Sequence, residues 1–256
     1  MESKPLRVYL TGPVCAESGN EVVKENRFAS RQARLLFVYL VCERAQPVHR
    51  EQLADLLWPE ATPQAWDSAL KSLVSRLRQF LGRLTGTAAV PSISSQFGCY
   101  QIQLPQHTWI DLEAARNSVD EAEGALRSND VASAWGPANV ALTIAGRPFM
   151  PGEEGEWVGQ KRSELRDSLV RALDSYAEIC LRTAQPSLAV QVANQAISLE
   201  PFRETGYQYL MRAHDALGNR AQALRVYQRC RELLADELGV DPSPEIAARY
   251  MELLEK

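Results

Sequence analysis

Six side chains between Pro63 and Arg83 could do chemistry together: Lys71, Ser72, Ser75, Arg76, Arg78 and Gln79. Arginine and glutamine can bond base edges, while serine and lysine reach phosphate oxygens. Wound on a helix at about 100° per residue, these six fall with Ser68 and Arg83 on one arc that holds no acid. Trp66, Leu70, Leu73, Val74, Leu77, Phe80 and Leu81 form an apolar stripe on the other side. Thr62 is placed to cap this helix, Pro63 suits its first turn and Gly82 its end. Such a rod suits the DNA major groove. The plainer alternative is a core-packing helix whose charges are merely solvated.

No competing chemistry stands out elsewhere. His49, His107 and His214 are dispersed, and none has a partner at metal-ligand spacing. Five cysteines lie far apart without a CxxC pair, which argues against a disulfide framework or a zinc site and for a reducing cytoplasm. No GxSxG, HExxH or phosphate-binding glycine loop occurs. Glu153, Glu154 and Glu156, with Arg147 nearby, fall in a Gly/Pro-rich stretch and are expected to be solvated. The expectation is therefore no enzyme, no catalytic residue, no metal and no cofactor. Trp58 is either an elbow residue or an indole donor to a phosphate, and Arg50 and Arg31, near helix starts, are either phosphate contacts or simply exposed.

The elements around the basic helix place it. Leu6–Leu10, Val14–Ala16 and Glu21–Val23 read as short strands, with a turn signal at Gly19-Asn20. Ser30 caps a helix over about Arg31–Arg44, and a shorter helix runs from His49 to Trp58 before Pro59. After the basic helix comes a small-residue loop over 82–90. Ile93, Tyr100, Ile102 and Leu104 then alternate about a Phe97-Gly98 tip, a hairpin whose Ser95 and Gln96 would touch the flank of a bound duplex. Strands, three helices and a terminal hairpin make a winged helix.

The expected fold is mainly α in two domains. An N-terminal winged helix-turn-helix over 1–104 is followed by a linker over 105–110. An all-α, tetratricopeptide-like helical repeat domain then fills 111–256. The repeat shows as a period of 34 residues: Leu173, Tyr176, Ala184, Ala189, Ala193 and Ala196 stand above Tyr207, Leu210, Gly218, Ala223, Tyr227 and Cys230. A weaker copy (Asn129, Ala134, Ala138, Ala141) precedes them out of register. Trp109, Trp135 and Trp157 are expected to be packing residues. The net charge of −4 divides into +3 over 1–104 and −7 over 105–256, so the halves suit different partners. No apolar run approaches the roughly 18 residues of a membrane span, and the first residues carry no leader, so neither a membrane partner nor secretion is expected.

LTGPV, REQLADLLWPE, SALKSLVSRLRQFLG and above all ALRVYQRCRELLADELGVDPSPE at 223–245 carry a family likeness. The chain resembles the actinobacterial antibiotic-regulatory activators, the SARP family, which join an OmpR-type winged helix to a bacterial transcriptional activation domain. The resemblance implies a transcription activator that binds direct repeats near a promoter's −35 region. It would bind double-stranded DNA as a homodimer or side-by-side pair and recruit RNA polymerase through the sigma factor and other subunits, in control of a secondary-metabolite or similar pathway. Carried over by motif, Ser75-Arg76-Leu77-Arg78 supplies the groove contacts, with Arg76 on a base and Arg78 on a phosphate. Two positions depart from the family pattern. Gln96 stands where the wing usually presents arginine, which lowers phosphate attraction. Asp67 stands near the start of the basic helix, where it would repel a phosphate it faced. The near-neutral first domain and the wing without arginine support the alternative: a non-enzymatic scaffold with a winged helix of weakened DNA affinity.

Overall fold

The computed structural model describes residues 5–19, 21–84 and 90–255. Asn20 of the expected Gly19-Asn20 turn and the inner part of the 82–90 loop lie outside them. The chain divides into two compact units, Met1–Ala114 with Arg147–Ser163 and Ala115–Gly146 with Glu164–Lys256. Segment 147–163 thus groups with the N-terminal unit, although in sequence it sits among the repeats.

In the first unit, β1 (Arg7–Tyr9), β2 (Cys15–Ser18) and β3 (Glu21–Val23) form an antiparallel meander. A fourth strand, β7 (Trp109–Ile110), pairs parallel to β1, with Val8 opposite Ile110. The stretch expected as linker therefore ends inside a sheet. Two residues are too few to show alternation, so the sequence carried no signal for it. Beyond β7 the buried carboxylate of Asp111 accepts Leu10 N and Thr11 N, both at 2.9 Å, Thr11 Oγ1 at 2.7 Å and its neighbour Leu112 N at 2.8 Å. Four donors fill a carboxylate's acceptor capacity, which is why an acid can sit there.

Segment 147–163 is fastened to the same unit. Gly12 N donates to Pro148 O at 2.7 Å, and the Trp157 ring lies 4.8 Å from that of Tyr39. Glu153 is 2% exposed and accepts Arg31 Nε and Arg34 Nη2, each at 2.7 Å. This corrects the expectation that Glu153 is solvated. Two arginines nearly one turn apart on one helix hold it, and a buried carboxylate needs such partners.

Three helices carry the core. α1 (Arg31–Cys42) begins where Ser30 Oγ accepts Ala33 N at 3.1 Å, and buries Ala33 and every residue from Leu35 to Val41. It packs on α2 (Arg50–Leu57) and α3 (Trp66–Leu81). α3 starts later than expected: Ala65 is its N-cap, and Pro63 O accepts Trp66 N at 3.0 Å in a turn before it. Thr62 does not cap it. Residues 61–65 are all exposed, so the helix begins only where its first large side chain finds something to cover.

β4 (Val48–His49), β5 (Ser92–Gln96) and β6 (Cys99–Gln103) form a second sheet in the order β4-β6-β5. The β5–β6 hairpin is the wing. Arg78 of α3 fixes it, donating from Nε at 3.1 Å and Nη2 at 2.9 Å to Ile93 O.

The second unit is helical: the body of α4 (Asp111–Arg127), α5 (Val131–Ala145), most of α6 (Glu156–Arg182), α7 (Pro186–Leu199), α8 (Glu204–Ala216), α9 (Arg220–Leu238) and α10 (Pro244–Glu255). The 34-residue period has a physical counterpart in its turns. Ala184 and Gly218 hold the same left-handed backbone, φ +56° and +73°, as does Asn129 at +60°. At each, the following N–H closes a wide turn: Asp130 on Ala125 O, Gln185 on Cys180 O and Asn219 on His214 O. This is the helix-ending pattern in which a left-handed residue satisfies orphan carbonyls. Ala134, Ala138, Ala189, Ala193, Ala223 and Cys230 are buried, so small residues line the helix contacts as the spacing predicts. In the LGVDPSPE stretch, Ser243 N and Oγ donate to the Glu204 carboxylate on α8, the shortest at 2.6 Å.

Arg78→Ala should loosen the wing by roughly 1–2 kcal/mol, the scale of a lost charge-assisted bond. Amide exchange in β5 and β6 should quicken while α1 amides stay protected; equal exchange in both would contradict the brace. A second test uses Asp174 on α6, which is buried and ion-paired to Arg203 at 2.6 Å. Burial, partly opposed by Arg203, pushes its carboxyl up to about 6. The folded state thus holds this proton more tightly than the unfolded chain. Stability contributed here is lost as pH rises from about 4 through 6. Asp174→Asn should therefore gain about 1–2 kcal/mol relative to the native chain between pH 5 and pH 8 in urea unfolding. A pH-independent difference would contradict that.

Candidate nucleic-acid interface

The stripe of α3 decides which side chains face out. Leu70, Leu73, Val74, Leu77, Phe80 and Leu81 are all buried, and Phe80 stacks on Phe28 at 4.4 Å and meets Phe37 at 5.6 Å. Ser68, Lys71, Ser72, Ser75, Arg76, Arg78, Gln79 and Arg83 are all exposed. Trp66, read as part of the stripe, is half-buried, with the Arg50 guanidinium 5.8 Å from its ring centre.

The exposed arc is graded. At about 100° per residue, Ser68, Ser72, Ser75 and Gln79 run along its crest, with cations on either shoulder. On one shoulder Arg76, Gln79 and Arg83 share a shallow cleft with Arg27 and Phe28. Sequence reasoning missed Arg27, which ends a 3-10 turn at Glu25–Arg27. Distance in the chain hid its proximity to α3. On the other shoulder Lys71 and Arg50 bracket Asp67: Lys71 Nζ lies 2.6 Å from Oδ2 and Arg50 Nη1 3.5 Å from Oδ1. Bonding to Lys71 holds the Asp67 carboxyl below its usual range, and its own desolvation is outweighed. The acid is thus neutralised by two cations and does not stand bare toward solvent.

Arg78 is less available. Nε and Nη2 both donate to Ile93 O, which commits two of its five N–H donors to the wing and leaves the others, with the charge, for a phosphate. Arg31 is likewise paired, with Glu153. Trp58 is half-buried, and its backbone N–H closes α2 on Ala54 O at 2.9 Å.

The wing is set against α2. Arg50 N donates to Gly98 O at 2.9 Å, and Ser95 and Gln96 are exposed on β5. Gln96 pairs with Cys99, which leaves Phe97 and Gly98 as a two-residue turn, φ +50° and +77°. The structure therefore brings Lys71, Ser72, Ser75, Arg76, Gln79 and Arg50 to one solvent face and presents Ser95 and Gln96 on the adjoining hairpin. Among the described residues no group of His, Cys, Asp or Glu is arranged to hold a metal ion. The Cys42 thiol is pushed up to about 12 by burial, the reverse of an activated nucleophile. No helix among the described residues is long and apolar enough to cross a membrane.

The chain is similar to several known proteins. Residues 110–254 match the bacterial transcriptional activator domain family. The regulatory protein AfsR of Streptomyces griseus is 29% identical over 97% of this chain and 24% of its own length. The transcriptional regulatory protein EmbR of Mycobacterium tuberculosis is 27% identical over 84% of this chain and 55% of its own. The regulatory protein DnrI of Streptomyces peucetius is 22% identical over 94% and 89%. The chain spans about a quarter of the AfsR proteins it matches. A solved structure of Mycobacterium tuberculosis EmbR, in complex with a low-affinity phosphopeptide, covers 99% of this chain with 66% of its own. Its TM-score is 0.85 at 23% identity, which shows a common fold. The chain belongs to the bacterial transcriptional activator domain family and groups with regulatory proteins of the SARP type.

Proposed function

We propose that this chain activates transcription by binding duplex DNA through α3 and the wing while its helical unit engages RNA polymerase. The observation that carries the reading is the crest of α3. Its solvent face holds hydroxyls, an amide and cations, and the one acid beside it, Asp67, is neutralised by Lys71 and Arg50. Arg76 contacts a base edge, with Ser72, Ser75 and Gln79 beside it. Arg27, Arg83, Lys71 and Arg50 hold the phosphates of the two groove walls. Arg78 acts by holding the wing, and Trp58 by shaping the elbow between helices. The target is a direct repeat near a promoter's −35 region, occupied by a homodimer or side-by-side pair. The sigma factor and other polymerase subunits are the partners of the helical unit. Control of a secondary-metabolite or similar pathway, from within the cytoplasm, is part of the same proposal; the named relatives are regulators.

Fluorescence anisotropy with the full chain and duplexes selected from a random-sequence pool tests this. The native chain should bind with a steep salt dependence. Arg76→Ala should cost roughly 1–3 kcal/mol and relax preference at one base pair. Arg83→Ala should weaken all duplexes alike and lower the salt slope by about 1. A scaffold would select no duplex and respond to neither change.

A further inference from the structure

The wing tip carries an exposed aromatic ring. Phe97 is 98% exposed and holds a left-handed backbone, φ +50°. Two-residue turns with positive φ at both positions favour Asn, Asp or Gly at the first, because a β-carbon there is crowded. A phenyl ring at that place worsens the turn and buries nothing within this chain. Strain of this kind is kept where function requires it. The tip is also firmly held: Gly98 O accepts Arg50 N, and β5 pairs with β6 from Ser92–Gln103 to Gln96–Cys99. Arg50 lies beside the turn, its Cδ 3.9 Å from where a β-carbon on Gly98 would stand. A rigid hairpin thus points an aromatic ring into solvent with a cation at its base.

We propose that Phe97 is a minor-groove wedge. With α3 in the major groove, the wing lies along the flank of the duplex. There the ring inserts part-way between two base pairs and kinks the step, while Gln96 and Ser95 bond acceptors on the groove floor and Arg50 draws in the adjacent phosphate. Apolar side chains that enter the minor groove act in this way. The step selected should be pyrimidine–purine (TA or CA), since these unstack most easily. The ring carries no charge, so its own share of the wing contact would be insensitive to salt, while the share from Arg50 would weaken as salt rises.

The proposal rests on the DNA-binding reading, and the experiment separates the two. The full chain is titrated onto its selected duplex with 2-aminopurine placed at successive positions along the wing flank. The native protein should raise the fluorescence at one step only. Phe97→Asn and Phe97→Gly, which suit the turn, should melt no lower than the native chain. They should bind roughly tenfold more weakly with an unchanged salt slope, and lose that fluorescence. Phe97→Leu should retain most of both. Native affinity in Phe97→Asn, or an undiminished 2-aminopurine signal, overturns the wedge while leaving DNA binding by α3 intact. So does a variant that binds DNA normally but fails to recruit polymerase, since the ring would then face a protein. Failure of the native chain to select any duplex overturns the DNA reading itself, and the wedge with it.

Discussion

Burial of one stripe of α3 constrains the whole N-terminal unit. Leu70, Leu73, Val74, Leu77, Phe80 and Leu81 leave water together against α1 and α2, with Phe80 wedged between Phe28 and Phe37. Each such side chain contributes about 1.5–3 kcal/mol when fully covered. Turning the helix by one residue would take Lys71 or Arg78 inward and bring leucines out, at a cost no surface interaction could offset. The polar crest is therefore fixed in direction by the burial of the opposite stripe. Its seryl and glutaminyl groups, with Arg76 on the shoulder, are exposed to solvent.

Much of this was legible because it is periodic. A stripe at helical spacing over sixteen residues is a strong signal, and all six aliphatic and phenyl positions assigned to the core are buried. The repeat length was readable for the same reason, and it reappears as the common left-handed turn at Ala184 and Gly218. What stayed hidden was short or distant in sequence. β4 and β7 are two residues each and cannot show alternation. Glu153 finds Arg31 and Arg34 across about 120 residues, and Arg27 finds Arg76 across about 50, separations that no local pattern encodes. Thr62 looked like a cap because hydroxyls commonly are, yet local preference yields to where burial begins.

The same limit applied to charge. Asp67 read as an obstacle to DNA, since a carboxylate near a phosphate costs affinity. In the fold it is the anchor that orders Lys71 from its own helix and Arg50 from the preceding one. Arg78 shows the converse: a residue whose type suits phosphate contact also donates twice to Ile93 O, tying α3 to the wing. Residue type says what a side chain can do, while packing decides which of those things it does.

The direct measurement of the central claim is covalent. With a photo-cross-linking residue in place of Ser75, at the middle of the crest, irradiation of the chain on its selected duplex should yield adducts to bases of the major groove, competed away by unlabelled duplex. Adducts confined to protein, or none while the duplex stays bound, would show that DNA is held by another face and contradict the account.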